Sequence, residues 1–274
     1  MSVAVPVPGK AVIVTGGTFG IGRAITLTLA RKGWRVLAFG LEAAQPSSLA
    51  ADAIPALREE VAREGLAVEL MEADVSSGAD VAGVVARAIG VFGRIDGLVN
   101  NAAIGPLGTV ETTDEAMWDR IHAVNLKGPY LMSRAVIPHM RAQGGGAIVN
   151  VGSGAGHGKP NMAAYAASKG GIFALSAAMA YDHFHDRIRV NTVLPGGGGI
   201  VSGMSLGRVG GDAARFGRGA PGTAAGRVAT GEDLAHAIGF LLSEEAATIS
   251  GTVIDVGCFA NQGGPIPPKP EDRA

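Results

Sequence analysis

The chain has 274 residues, of which 47% are apolar, and its 23 basic and 24 acidic residues give a net charge of −1. This length is at the upper end for one hydrophobic core, and the charge balance excludes the basic surface that sequence-independent nucleic-acid binding requires. The single cysteine, Cys258, excludes an intramolecular disulfide and a thiolate metal cage.

The N-terminal segment does not have the pattern of a secretion signal. Residues 1–8 contain no basic residue and are interrupted by prolines, whereas a signal peptide begins with a basic region followed by an apolar stretch. No apolar run in the chain approaches the roughly 18 residues that span a bilayer. We therefore expect a cytoplasmic protein with no membrane partner and no nucleic-acid partner.

Short apolar segments alternate with helix-length segments along the whole chain. The pattern predicts strands at 11–14, 35–39 and 67–71, helices at 23–31, 54–64 and 79–92, and further units around 97–100, 114–142, 147–151, 162–183, 188–193, 231–242 and 252–256. Strands separated by helix-length segments form βαβ units. We predict an α/β fold: a single-domain, Rossmann-like, doubly wound parallel sheet with helices on both faces over 1–262, followed by an irregular proline-rich tail at 263–274.

A glycine-rich segment directly follows the first predicted strand. It reads Thr-Gly-Gly-Thr-Phe-Gly-Ile-Gly over residues 15–22, and a helix pattern follows it. A strand, a glycine turn and a helix N-terminus together form a cradle for a pyrophosphate, because backbone N–H groups and the positive end of the helix dipole face the anion. An ordinary glycine-rich turn is the alternative that this segment alone leaves open.

Tyr165 and Lys169 are four residues apart on a predicted helix. This spacing places them one turn apart on the same face. An ammonium near a phenol favours the phenolate, so the pair can make tyrosine an acid–base group near neutral pH. The alternative for an isolated pair is a packed ring beside a solvated charge.

The spacing of the glycine motif and the Tyr165/Lys169 pair together resemble the short-chain dehydrogenase/reductase family. Further motifs follow in the family's order, namely Asp74-Val75, Asn100-Asn101-Ala102-Ala103, Asn125, Ser153 and Pro195-Gly196. The resemblance extends over residues 9–259. It implies an NAD(P)-dependent oxidoreductase that transfers a hydride between nicotinamide and a secondary alcohol or ketone, such as a sugar, a polyol or another hydroxy compound.

The resemblance also implies a catalytic tetrad of Asn125, Ser153, Tyr165 and Lys169. Tyr165 exchanges the proton of the substrate hydroxyl, and Lys169 lowers the pKa of Tyr165 and holds the nicotinamide ribose. Ser153 donates to the substrate oxygen, with a turn serine as its alternative role. Asn125 belongs to a proton relay through water to the lysine in the family's pattern, and a core or kink role is its alternative.

The cofactor site implied by the resemblance extends over most of these motifs. It comprises Gly16, Thr18, Phe19, Gly20, Ile21, Gly22, Gly40, Leu41, Asp74, Val75, Asn101, Ala102, Ala103, Tyr165, Lys169, Pro195, Gly196, Ile200 and Ser202. Asp74 contacts the adenine in this arrangement. Ile200 and Ser202 are included on the assumption that the glycines at 197–199 are an insertion.

The residues at the end of the second strand bear on the choice of cofactor. NAD-preferring members of the family have an acidic residue where this chain has Gly40, and NADP-preferring members have a basic residue where it has Phe19 or Leu41. Neither signal is present. Glu42 would repel a 2′-phosphate, and we therefore expect NAD, with NADP as the alternative.

Two arginines, one after the glycine motif and one at the start of the second strand, argue against the expectation of NAD. Arg23 and Arg35 would favour NADP if their side chains reached the phosphate, whereas solvated side chains would leave NAD preferred.

The substrate site is less defined by the sequence. The segment between Ser153 and Tyr165 lines the pocket in the family, which nominates His157, Lys159, Asn161 and Met162 as substrate contacts. The glycine-rich segment 197–222 has the length of a lid and contains arginines that either clamp an anionic substrate or are solvated.

Two other activities remain as alternatives. One is an NADP-dependent 3-oxoacyl-type carbonyl reductase, and the other is a non-catalytic dinucleotide-binding sensor. We expect no metal, because His183 and His185 lack a third ligand. The resemblance implies a homotetramer or a dimer, with subunit contacts at the strand 251–256.

Overall fold

A computed structural model of the chain describes residues 9–41, 53–195, 200, 204 and 223–259. The strands are β1 (Ala11–Thr15), β2 (Arg35–Gly40), β3 (Val68–Glu72), β4 (Gly97–Asn100), β5 (Gly146–Val151), β6 (Ile188–Pro195) and β7 (Val253–Val256). The α-helices are α1 (Gly20–Arg31), α2 (Ala53–Glu64), α3 (Gly78–Phe92), α4 (Glu115–His122), α5 (Gly128–Ala142), α6 (Ala163–Asp182) and α7 (Gly231–Leu242).

The strands form one seven-stranded sheet in the order β3-β2-β1-β4-β5-β6-β7, and every neighbouring pair is parallel. The chain proceeds outward from β1 to β3 and then returns to β4 on the other side of β1. The strand order therefore reverses between β1 and β4, where doubly wound sheets bind their ligands beyond the carboxyl ends of the strands. The predicted α/β fold is confirmed.

Alternate residues of the strands pack against helices on opposite faces of the sheet. Val12 and Val14 of β1 belong to the core beneath α1 and α7, whereas Ile13 belongs to the core beneath α3, α5 and α6. Because both faces are covered, consecutive residues of a central strand such as β1 are apolar instead of alternating with polar ones. This explains why the strands are short apolar runs in the sequence.

The predicted segment 114–142 is not one helix. It consists of α4, a π-helical segment Ala123–Lys127 and α5. The π segment contains Asn125, which fits the poor helix propensity of asparagine and the frequent occurrence of π turns at functional sites. The other predicted boundaries differ from the observed ones by no more than a few residues; α1 begins at Gly20, inside the glycine motif.

Several predictions concern residues outside the described part of the chain. These are the tail at 263–274, the lid at 197–222 with its arginines, Glu42, and the cofactor residues Gly196 and Ser202. Among the described residues, no helix combines the length and apolar character needed to cross a membrane.

Candidate active site

The glycine motif forms a tight turn between β1 and α1. Gly16 and Gly20 have φ angles of 59° and 53°, which favour glycine because it has no Cβ. A Cβ on Gly22 would lie 1.8 Å from the carbonyl oxygen of Gly16, and a Cβ on Gly16 would lie 2.9 Å from the Cα of Ala102. The backbone path of this turn therefore requires glycine at these positions.

The start of α1 fits an anionic group. Its N-cap residue is Phe19, which makes no side-chain cap, and its first turn contains no acidic residue. The first N–H groups of a helix need acceptors, and the helix dipole favours negative charge at this end. The turn and helix start thus fit the pyrophosphate of a dinucleotide.

Thr15 and Asn101 join this turn to the end of β4. The Thr15 hydroxyl accepts hydrogen bonds of 2.9 Å from the backbone N–H groups of both Asn101 and Ala102. The side-chain amide of Asn101 donates to the carbonyl oxygens of Thr15 and Gly16, each at 3.0 Å. Asn101 therefore holds the backbone of the glycine turn, and Ala103 follows on the same segment.

Gly40 ends β2 against the side chain of Thr18. A Cβ on Gly40 would lie 2.6 Å from the Thr18 hydroxyl oxygen, and Thr18 is buried. The Thr18 hydroxyl therefore occupies the space that an acidic side chain at position 40 would enter. Leu41 follows directly, so no charged side chain is present at positions 40 and 41.

Both arginines that oppose the expectation of NAD have partners elsewhere. Arg23 is paired with Glu60 of α2. Arg35 donates to the carbonyl oxygen of Gly9, and its guanidinium lies 5.3 Å from the centroid of the Phe92 ring. Each of the two guanidinium groups therefore has a partner within the chain.

Asp74 and Val75 follow β3 at the same edge of the sheet. Asp74 Oδ1 accepts from the backbone N–H of Ser76 at 2.8 Å and from its hydroxyl at 2.7 Å. Burial opposes ionisation of Asp74, but the hydrogen bonds from Ser76 and the charge of Arg120 outweigh it, so the pKa of this carboxyl lies below its usual range. Ser77, and not Asp74, is the N-cap of α3.

Lys169 is a buried cation on α6. Its ammonium donates a 2.7 Å hydrogen bond to the carbonyl oxygen of Val151, at the end of β5. Burial lowers the pKa of Lys169 to about 8, because removal from water disfavours the charged form. The lysine is nevertheless mostly protonated at neutral pH.

Tyr165 lies on α6 and Ser153 directly after β5, the two elements that this bond joins. Tyr165 is buried, and the Lys169 ammonium lies 6.0 Å from the centroid of its ring. Ser153 follows β5 two residues after Val151, and its hydroxyl accepts from the backbone N–H of Ala155 at 3.1 Å. The turn that follows Ser153 packs on α6, so the predicted acid–base residue, its cation and the predicted oxygen-binding serine form a cluster on adjoining elements.

Asn125 contacts this cluster through Ser168, a residue that the sequence analysis did not select. The Asn125 amide donates to the Ser168 hydroxyl at 3.1 Å, and Ser168 donates to the carbonyl oxygen of Tyr165 at 2.8 Å. The same amide also donates to the Ile104 carbonyl at 2.8 Å and accepts from its N–H at 2.9 Å. A serine inside an apolar helix, next to the lysine, is the signal that identifies Ser168.

Comparison with known proteins agrees with this geometry. A sequence profile described as short chain dehydrogenase matches residues 10–205. The chain belongs to the short-chain dehydrogenase family. It is therefore an NAD(P)-dependent oxidoreductase, and the family implies a nicotinamide dinucleotide cofactor.

Full-length relatives are dehydrogenases and reductases by name. 2-(S)-hydroxypropyl-CoM dehydrogenase 3 of Xanthobacter autotrophicus is 37% identical over 264 residues, covering 93% of this chain and 96% of that protein. Cyclopentanol dehydrogenase of Comamonas sp. is 36% identical over 256 residues, covering 92% and 98% of the two chains. The crystal structure of levodione reductase matches with a TM-score of 0.81 at 30% identity, covering 94% and 99%.

The segment before α6 in this short-chain dehydrogenase is fixed to the loop after β4. Gly108 donates to the carbonyl oxygen of Asn161 and accepts from the N–H of Ala163, both at 2.9 Å. Asn161 adopts a φ of 57°, a left-handed conformation that asparagine tolerates better than most residues. This bridge places Asn161 and Met162, two predicted substrate residues, at the start of the helix that carries Tyr165.

His157, another predicted substrate residue, ends the 3₁₀ turn Gly154–His157 and packs against the middle of α6. Its ring stacks on Phe173, with 4.9 Å between the ring centroids. Phe173 follows Tyr165 by eight residues, about 12 Å along a helix. The stacking thus directs His157 toward the middle of α6, away from the helix start.

The last predicted cofactor residues lie beyond β6. Pro195 ends this strand, paired with Val256 of β7. Ile200 is buried in the apolar core beneath α1 and α7. In the described ranges, no group of three His, Cys, Asp or Glu side chains is arranged to hold a metal ion.

Proposed function

We propose that this short-chain dehydrogenase transfers a hydride between nicotinamide and a secondary alcohol or ketone, with Tyr165 as the acid–base residue. The observation that carries the proposal is the position of Lys169. Its buried ammonium lies beside the Tyr165 ring and is bound to the strand end that precedes Ser153. A cation held at this point favours the phenolate of Tyr165.

The chemistry of the chain's own residues follows from this arrangement. The cofactor supplies the hydride acceptor in the oxidation direction. Tyr165 accepts the proton of the substrate hydroxyl as its carbon loses the hydride, and returns a proton in reduction. Ser153 is fixed by its bond from Ala155, and a hydroxyl that accepts one hydrogen bond can still donate another, here to the substrate oxygen.

Asn125 and Ser168 hold the backbone around Tyr165. The Asn125 amide is engaged with Ile104 and Ser168 on both its oxygen and its nitrogen. These bonds use both amide hydrogens of Asn125, and Oδ1 retains one lone pair with which it can accept from a relay water. We propose that its side chain positions α6 through Ser168.

NAD is the preferred cofactor in this proposal. A 2′-phosphate needs positively charged donors. Phe19, Gly40 and Leu41 supply none. Arg23 and Arg35 are engaged with Glu60 and Gly9. Because these contacts occupy both guanidinium groups, the contacts support NAD over NADP.

The substrate class is a small secondary alcohol or its ketone. The names of the relatives, a hydroxypropyl-CoM dehydrogenase, a cyclopentanol dehydrogenase and a levodione reductase, support this class. Asn161 and Met162 are the substrate contacts we favour, because the bridge to Gly108 fixes them beside Tyr165. His157 is the weaker candidate, since its ring packs on Phe173.

The enzyme is proposed to assemble as a homotetramer. The polar residues Tyr165, Ser168, Lys169 and Ser176 of α6 are buried, whereas the side of α6 that faces solvent in the single chain carries Ala167, Ala174, Ala178 and Tyr181. An apolar helix surface of this kind favours burial against another chain. β7 is the outermost strand at one end of the described sheet, and it provides a second surface for contacts between subunits.

Cofactor reduction with a panel of secondary alcohols tests the proposed function. The panel contains cyclopentanol, 2-propanol, a polyol and a 3-hydroxyacyl thioester, each with NAD and with NADP, and the readout is absorbance of the reduced nicotinamide. We expect turnover with small secondary alcohols and NAD. Turnover confined to the thioester with NADP would support the 3-oxoacyl alternative, and dinucleotide binding without any turnover would support the sensor alternative.

A further inference from the structure

The sheet order identifies the end of the site that faces the adenosine. The glycine turn follows β1, whereas Tyr165 and Lys169 lie on α6, beside β5 and β6. A dinucleotide whose pyrophosphate lies at the turn and whose nicotinamide lies near Tyr165 therefore has its adenosine toward β2 and β3. Ala73 donates to the carbonyl oxygen of Gly40 at 3.2 Å, so Asp74 lies one residue beyond the paired ends of these strands.

Arg120 of α4 reaches this carboxylate from a different part of the chain. Both terminal nitrogens of its guanidinium lie 3.3 Å from Asp74 Oδ2, and one of them donates to the Ser76 hydroxyl at 3.1 Å. Ser76 in turn donates twice to Asp74 Oδ1. The two oxygens of Asp74 are thus oriented by different residues, Oδ1 by Ser76 and Oδ2 by Arg120.

We propose that Arg120 is a positioning residue for the cofactor, which holds Asp74 Oδ2 so that it accepts a hydrogen bond from the 6-amino group of adenine. The inference rests on the proposed dinucleotide site. Oδ2 already has two guanidinium contacts of 3.3 Å, which are longer than ordinary charge-assisted hydrogen bonds, and the adenine amino group would share this oxygen with them. Without Arg120, the carboxylate would be held through Oδ1 alone and Oδ2 would be solvated, so fixing and desolvating Oδ2 would weaken cofactor binding.

A purely structural role for Arg120 would give a different result. In that case the ion pair would only join α4 to the segment between β3 and α3, and its loss would weaken binding of any dinucleotide equally. An effect transmitted through Asp74 requires the adenine amino group. An analogue of NADH in which hydrogen replaces this amino group distinguishes the two roles.

The test is calorimetric measurement of the dissociation constants of NADH and of this deamino analogue, so it does not depend on turnover. For Arg120→Gln we expect Kd for NADH to rise about tenfold and Kd for the analogue to change by less than about twofold. Arg87→Gln is the matched control, because Arg87 is also an exposed arginine paired with a carboxylate near β3, Glu69. The control should leave both constants unchanged.

A second comparison uses Asp74→Asn as the background. Once the carboxylate is replaced, adding Arg120→Gln should change Kd for NADH by less than about twofold, because the two residues act through one contact. An equal rise for NADH and its analogue in the Arg120→Gln variant, or wild-type affinity for NADH, would overturn the inference alone. A wild-type protein that binds neither NADH nor NADPH would overturn the proposed function together with it.

Discussion

The ammonium of Lys169 donates a 2.7 Å hydrogen bond to the carbonyl oxygen of Val151, and this bond joins α6 to the end of β5. The strand then leads to Ser153, and the helix carries Tyr165 one turn before the lysine. One buried contact therefore sets the relative position of the three proposed catalytic side chains.

Burial of Lys169 makes the free energy of unfolding depend on pH in the alkaline range. The pKa of Lys169 falls from 10.5 to about 8 in the folded chain. Between these two pH values the unfolded chain binds more protons at this site, so the free energy of unfolding should increase as pH rises. From pH 7 to pH 10 we expect wild type to gain about 2 kcal/mol relative to Lys169→Met.

Urea unfolding of both proteins at several pH values measures this difference. The pH dependence of the groups that Lys169 does not influence cancels in the comparison, whereas Tyr165, whose phenolate Lys169 is proposed to favour, adds to the gain of wild type in the same direction. Parallel curves for wild type and Lys169→Met would show that the pKa of Lys169 is not lowered in the folded protein.

Two glycines with opposite surroundings test the tightness of the turn after β1. A Cβ on Gly22 would lie 1.8 Å from the Gly16 carbonyl oxygen, whereas Gly83 in α3 has nothing within 4 Å. Gly22→Ala should destabilise the fold by about 3 kcal/mol or more and weaken NADH binding. Gly83→Ala should stabilise it by about 0.5 to 1 kcal/mol, because alanine is the better helix former.

Denaturant unfolding of the two alanine variants measures the change in stability, and NADH calorimetry measures the change in cofactor binding. Equal stability of Gly22→Ala and wild type would mean that the turn can open without cost, and the proposed pyrophosphate cradle would lose its structural basis.

We expect Thr18 and Gly40 together to control the choice between NAD and NADP. We expect wild type to prefer NAD in kcat/KM by roughly ten- to a hundredfold, because Phe19, Gly40 and Leu41 supply no positively charged donor for a 2′-phosphate. Gly40→Asp alone would drive its Cβ against the Thr18 hydroxyl, 2.6 Å away. The double variant Thr18→Ala/Gly40→Asp removes the obstructing oxygen, and its preference for NAD should exceed that of Thr18→Ala by about tenfold.

The measurement is kcat/KM for both cofactors with one alcohol in wild type, Thr18→Ala and the double variant. A wild-type preference for NADP would show that Arg23, Arg35 or another cation reaches the phosphate.

Tyr181 tests the proposed assembly. It is 84% exposed at the end of the apolar side of α6, and a tetramer that uses this side would bury it. Light scattering of wild type should give four times the chain mass of 27.5 kDa, and Tyr181→Asp should reduce the assembly to a dimer by placing a charge in the interface. A wild-type mass of a single chain would refute the assembly.

Local sequence patterns predicted the elements whose cause is local. The apolar runs of the strands, the glycine spacing at 15–22 and the Tyr165/Lys169 pair all depend on residues within a few positions of each other. The π segment around Asn125 was not predicted, because its apolar residues continue the helical period of 114–142. A kink was only one of the alternatives for this residue.

Contacts between distant segments left little trace in the sequence. Arg120 and Asp74 are 46 residues apart. The residues next to each of them in the sequence do not indicate that their side chains form an ion pair. The same holds for Thr18 against Gly40 and for His157 on Phe173. These pairs depend on where the strands and helices pack, which the motifs alone do not specify.

The most direct test of the account is Tyr165→Phe, with Tyr181→Phe on the same helix as the matched control. The substitution removes only the ionisable oxygen while the ring still packs, so kcat should fall by about a thousandfold or more and Kd for NADH should stay within about twofold of wild type. Tyr181→Phe should retain wild-type kcat. A Tyr165→Phe enzyme that keeps a large part of wild-type kcat would contradict the proposal that Tyr165 is the acid–base residue.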